Sequence, residues 1–112
     1  YPLARQHWAE QLAGHPRSVS DLNLALLTAD SAGFGRRRYA EIRVEVYRKA
    51  LAMIEKAAPA PDAKVGEFAA TEDGLKAGLD QALRALAAAT DDPIDRMRLV
   101  DEANDVRPWS LV

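Results

Sequence analysis

The stretch RRRYAEIRVEVYRKALAMIEKAA, residues 36–58, decides the fold class, because it contains neither Gly nor Pro. Its apolar residues fall in one row at Tyr39, Ile42, Val46, Ala50, Met53 and Ala57, and in a second at Val44, Tyr47, Leu51 and Ile54. Two adjacent rows at helical spacing predict one long helix buried over a wide face. A helix with so broad an apolar face needs other helices around it, so the rest of the chain is read for what could pack there.

On its N-terminal side, Gly33-Phe34-Gly35 is a break whose glycines tolerate the positive φ of a helix C-terminus. Before it, Ser18 with Asp21 three residues on forms an N-cap for the run Leu22, Leu24, Ala25, Leu26, Leu27, Ala29, which predicts a helix over about 19–32. Pro2 opens a shorter helix, about 2–13, with Leu3, Trp8 and Leu12 on one face and Gly14 as its stop. On the C-terminal side, Pro59 and Pro61 end the long helix, and the residues up to Ala70 read as a linker. Thr71 or Asp73 caps a helix over about 72–90 carrying the stripe Leu75, Leu79, Ala82, Leu83, Leu86, Ala89, despite Gly74 and Gly78. Asp92-Pro93 opens a last helix, about 93–106, with Ile94, Met97, Val100 and Ala103 or Asn104 expected inward. Short connections make neighbouring helices antiparallel, so two hairpins emerge, 18–58 and 71–106, as a stack or as a closed four- or five-helix bundle.

Composition agrees. Among 112 residues there are 22 Ala and only seven aromatics, a set that favours closely packed helices over a sandwich or barrel. No run approaches the roughly 18 apolar residues of a membrane span. The absence of Cys removes disulfides, thiolate metal sites and cysteine nucleophiles, and fits a cytoplasmic protein. The chain opens at Tyr1 with neither Met nor a basic-then-apolar leader, so it reads as one all-helical domain from the C-terminal part of a longer protein. The net charge of −2 is uneven: residues 1–56 carry nine Lys/Arg against six Asp/Glu, and residues 57–112 carry six against eleven. Such halves can pair internally or with a second copy, and the excess is too mild for a dedicated nucleic-acid binder.

Two stretches carry a resemblance. Phe34-Gly35-Arg36 in the inter-helix turn, then Tyr47 followed by Lys49-Ala50-Leu51, make residues 22–58 similar to one tetratricopeptide repeat, with Arg43 where a small residue is usual and the closing proline late, at Pro59. Leu99-Val100-Asp101-Glu102-Ala103-Asn104-Asp105-Val106-Arg107-Pro108 resembles the C-terminal signature of the bacterial protein kinase G family. The resemblance implies a tetratricopeptide-like solenoid that follows a serine/threonine kinase domain and contributes to its dimerisation and regulation. These residues hold no Gly-x-Gly-x-x-Gly loop, His-Arg-Asp or Asp-Phe-Gly, so this part would be non-catalytic.

The candidate site residues follow from charge and aromaticity. Arg36, Arg37 and Arg38 begin a helix, where the backbone dipole is already positive; they either grip an acidic partner, or Arg37 and Arg38 pair with Glu41 and their neighbours at i+3 and i+4. Arg43 and Tyr47 on the same helix are further candidate contacts, and Trp8 and Trp109 are either core or interface anchors. His7 and His15 lack a carboxylate at ligand spacing, so no metal or cofactor is expected. Ser18, Ser20, Ser31 and Ser110 lie in no nucleophile elbow. Asp91, Asp92, Asp95, Asp101, Glu102 and Asp105 read as caps and a solvated face, with Asp101 paired to Arg98. Two functions remain: a docking module for a protein partner or for itself, as a homodimer, and a nucleic-acid-binding domain using the arginine-rich helix. The second fits the charge less well.

Overall fold

The computed structural model describes residues 2–108, which form five helices and a minimal hairpin: α1 Pro2–Gly14, α2 Val19–Asp30, α3 Arg36–Lys56, β1 Lys64–Val65, β2 Phe68–Ala69, α4 Glu72–Ala88 and α5 Pro93–Val106. Three helix starts are capped by side chains. The Asp21 amide donates to Ser18 Oγ, the Gly74 amide to Thr71 Oγ1 and the Asp95 amide to an Asp92 carboxylate oxygen. The long helix α3 has no such cap: Gly35 precedes it and its first turn has no acid. Its unfavourable arginine start is offset by ion pairs instead, Arg37 with Glu41 at 3.8 Å and Arg38 with both Glu41 at 3.2 Å and Glu10 of α1 at 2.6 Å.

The helices pack in chain order, α1 and α2 on each other and on α3, α3 on α4, and α4 on α5. A closed bundle would bring the first and last helices together; here α1 has no substantial contact with α4 or α5, and the molecule is a slab of 36 × 34 × 19 Å. The fold is therefore all-α, an open stack of antiparallel hairpins. Both rows of α3 enter the core through Ile42, Val46 and Ala50 and through Val44 and Tyr47, against Leu22 and Ala25 of α2 and Leu75, Leu79 and Leu83 of α4. Among the described residues, eleven of the twenty buried apolar ones are Ala, which lets the helix axes approach closely.

Residues 59–70 are not a plain linker. Antiparallel pairing of Lys64 with Ala69 and Val65 with Phe68 leaves the two-residue turn Gly66-Glu67, with Gly66 at φ +62°, as a type II′ turn requires. Two strand residues on each side carry no readable alternation, and the hairpin is held by tertiary contacts. The Asn23 amide of α2 donates to the Lys64 carbonyl at 2.7 Å and accepts from the Gly66 amide at 2.8 Å, the Tyr47 hydroxyl donates to the Val65 carbonyl at 3.0 Å, and Val65 is fully buried.

The two glycines of α4 are contact points. A methyl group on Gly74 would fall on the carbonyl oxygen of Ala69, and one on Gly78 would lie 2.5–2.8 Å from three ring atoms of Tyr47. That ring also meets Phe68 edge-on, centroids 5.7 Å apart. Tyr47 is thus the keystone of the α3–α4–hairpin junction, and glycine at position 78 is what admits it.

Two helix faces differ from the sequence expectation. On α1 the inward residues are Ala9 and Ala13 with Leu12 partly covered, while Leu3 and Trp8 are exposed. On α5 Leu99, Ala103 and Val106 face inward, and Ile94 and Met97 remain about two-thirds exposed, at 62% and 65%. The polar contacts of α5 set that rotation: Asn104 accepts from Arg84 of α4 at 2.7 Å, and Arg107 lies 3.9 Å from Asp80.

Candidate functional site

Along α3, Tyr39, Arg43 and Tyr47 stand one turn apart, at i, i+4 and i+8, and form the floor of a groove of about 600 Å³. Its walls are α2, which supplies Leu26 and Asp30, and α4, which supplies Gln81 and Ala85; the Gly66-Glu67 turn closes one end. The Tyr39 hydroxyl donates a short hydrogen bond of 2.5 Å to Asp30. Burial, and after it this bond to a carboxylate, pushes the Tyr39 phenol up to about 12, so it is neutral at physiological pH. Burial also raises the Tyr47 phenol, against the opposing pull of the Arg43 cation. Arg43 donates to the Gln81 side-chain carbonyl of α4 at 2.7 Å, which fixes the guanidinium across the groove floor.

The other arginines read from the sequence are placed differently. Arg36 and Arg37 are exposed, and Arg38 lies half exposed between Glu10, Glu41 and the Phe34 ring, its guanidinium carbon 6.0 Å from the ring centroid. Arg38 thereby ties α1 to α3, and the hydrogen bond to Glu10 is the main reason its pKa is raised. The run is divided between a solvated helix start and an interhelix clasp. Tyr47 is buried to 2% exposure with its hydroxyl bonded to Val65, so its part is structural and it offers the groove only a floor. Trp8 is 54% exposed; Trp109 lies outside the described residues. His7 and His15 are exposed, and among the described residues no group of three or more His, Asp and Glu is placed to hold a metal ion. Arg98 approaches Asp95, at 4.0 Å, and not Asp101. Among the described residues no helix is long and apolar enough to cross a membrane.

The signature at residues 99–108 finds its explanation in packing. Leu99, Ala103 and Val106 cover the core, Asn104 binds Arg84, and Arg107 joins Arg84 at the nearly buried Asp80 carboxylate, whose bond to Arg84 is 2.9 Å. Asp101 and Asp105 point to solvent. The motif is the set of residues that seats the last helix on α4, and Asp80, its buried acceptor, has no sequence signal apart from lying on the apolar stripe.

An open stack of helix hairpins, grooved on one side and built on a repeat-like helix pair, defines a helical-repeat module of the tetratricopeptide type. The model of the protein kinase G tetratricopeptide repeat family matches residues 17–110, and the chain belongs to that family. The module is non-catalytic. No curated protein and no solved structure matches the chain.

Proposed function

We propose that this chain is a regulatory docking module of a cytoplasmic serine/threonine kinase of the protein kinase G type, following the catalytic part in a longer chain. It binds a protein partner or a second copy of itself through the exposed surface of α1 and α2. The observation that carries this reading is the apolar surface left on α1 and α2: Leu3 at 79%, Leu27 at 66%, Trp8 at 54% and Leu24 at 42% exposure. In a hairpin stack each unit covers its neighbour, and an uncovered unit needs a partner. Full burial of one such side chain contributes about 1.5–3 kcal/mol, and Trp is a frequent hot-spot residue. The nucleic-acid alternative has less behind it, since Arg37 and Arg38 face carboxylates of their own chain.

Sedimentation velocity over a wide concentration range tests the reading. Self-association, or capture of the kinase region by the domain, that Trp8→Ser and Leu27→Ser each weaken is the expected result. A monomer at every concentration that also retains no kinase region contradicts it.

A further inference from the structure

We propose that the groove between α2 and α4 receives an extended segment of a partner protein bearing one carboxylate side chain flanked by basic residues, in the pattern Lys-x-Glu-x-Lys. The site goes beyond the docking surface of α1 and α2, since its lining includes none of Leu3, Trp8, Leu24 and Leu27 and takes only Leu26 and Asp30 from α2.

Arg43 is the starting point. The other arginines that α3 and α4 hold against a neighbouring helix have carboxylates: Arg38 has Glu10 and Arg48 has Glu102 at 2.6 Å across the helices, and Arg84, bonded across to Asn104, has Asp80 on its own helix. Arg43 is partly buried, its described hydrogen bond goes to the neutral Gln81 amide, and among the described residues it forms no ion pair. A guanidinium carries five N–H donors in a planar fork that suits a carboxylate, and a partly desolvated one gains most from such a partner.

The surroundings choose among anions. Asp30 stands at the Tyr39 end of the floor, bonded to that phenol. Glu67 stands at the Tyr47 end, on the turn whose Gly66 backbone lies against the Tyr47 hydroxyl. Along α3 the order is therefore acid, base, acid. A phosphate, with close to two negative charges, would be repelled by both acids. A singly charged carboxylate with a cation on each side would be matched at all three points.

The spacing also agrees. Successive floor residues are four apart, a rise of about 6 Å on a helix. Residues two apart in an extended chain share one face and are about 6.6–6.8 Å apart. A peptide running along α3 thus presents residues i, i+2 and i+4 over Tyr39, Arg43 and Tyr47 in step, with Asp30 in the groove wall bonded to the first and Glu67 on the turn beside the last.

The test is fluorescence polarisation of labelled short peptides against the intact chain at low and physiological salt. The parent is Ala-Lys-Ala-Glu-Ala-Lys-Ala, with variants carrying Gln at the centre or the reversed order Glu-x-Lys-x-Glu. Saturable binding of the parent is expected, weakened about tenfold or more by the central Gln, by Arg43→Gln in the protein, and by no further factor when the two changes are combined. Asp30→Asn with Glu67→Gln is expected to abolish the preference for flanking Lys and keep that for the central Glu. Equal binding of the Gln peptide, preference for the reversed peptide, indifference to Arg43→Gln, or no saturable binding of the parent would each overturn the proposal. Circular dichroism and melting of each variant verify the fold. Sedimentation unaffected by Arg43→Gln separates failure at this groove from failure of the α1–α2 docking surface.

Discussion

Replacing Gly78 by Ala should destabilise this domain, although in most helices the same change does the reverse. An exposed helical Gly→Ala gains about 1 kcal/mol from propensity and from a less flexible unfolded chain. Here the new methyl would sit 2.5–2.8 Å from Cε1, Cζ and Cδ1 of Tyr47. The ring cannot easily yield, because its hydroxyl is bonded to the Val65 carbonyl, it meets Phe68 at nearly a right angle and the residue is buried. Overpacking of this kind costs about 1–3 kcal/mol, occasionally more, and with a rigid ring the upper part of that range applies. The net expectation is a loss of about 1–2 kcal/mol, or several degrees in Tm for a domain of this size. Urea denaturation of the wild type, Gly78→Ala, Tyr47→Leu and the double variant measures it, and the coupling term isolates the contact. In the Tyr47→Leu background the alanine should become neutral or stabilising. A Gly78→Ala protein more stable than wild type would refute the packing described for the α3–α4 junction.

Three further outcomes follow from the same contacts. Asn23→Ala removes both side-chain bonds to the hairpin turn and should cost about 1–2 kcal/mol in a melt, with faster hydrogen exchange at the Gly66 amide. Tyr39 is neutral in the fold up to about pH 12 but ionises near 10.0 once unfolded, so its contribution is complete below pH 10 and is lost as the pH rises from about 10 to about 12. Denaturation across that window should show falling stability, less steeply in Tyr39→Phe, and a flat profile in the wild type would be inconsistent with the partly buried, Asp30-bonded phenol. Arg38→Ala breaks exposed pairs with Glu10 and Glu41 and should cost only about 0.5–1 kcal/mol, seen as earlier exchange of α1 amides before global unfolding.

The sequence was legible where structure is local and repetitive. The two rows on residues 36–58 identify α3 because helical spacing repeats over about six turns without a Gly or Pro, though they leave stack and closed bundle undecided, and Ser18, Thr71 and Asp92 cap through contacts three residues away. What escaped depends on partners far along the chain. The hairpin at 64–69 exists because Asn23 and Tyr47, 41 and 18 residues from their acceptors, hold it, and a pair of two-residue strands has no period of its own. The rotation of α5 was misjudged for a related reason: Ile94 and Met97 are more apolar than Ala103, but Asn104 and Arg107 bind the buried Asp80–Arg84 pair and orient the helix. Tyr47 looked like a contact residue because an aromatic on a charged helix is ambiguous until Gly78 is seen opposite it. Arg43 was found as a charge at an unexpected position, but its groove required the fold.

The central claim is that the exposed apolar surface of α1 and α2 is the docking surface, and hydrogen-exchange mass spectrometry of the associated against the dilute chain tests it most directly. Protection should appear on association in the peptides spanning residues 3–8 and 24–27, where the exposed Leu3, Trp8, Leu24 and Leu27 lie, and little on α5. Protection centred on α5 around Ile94 and Met97, with α1 and α2 unchanged, would contradict it.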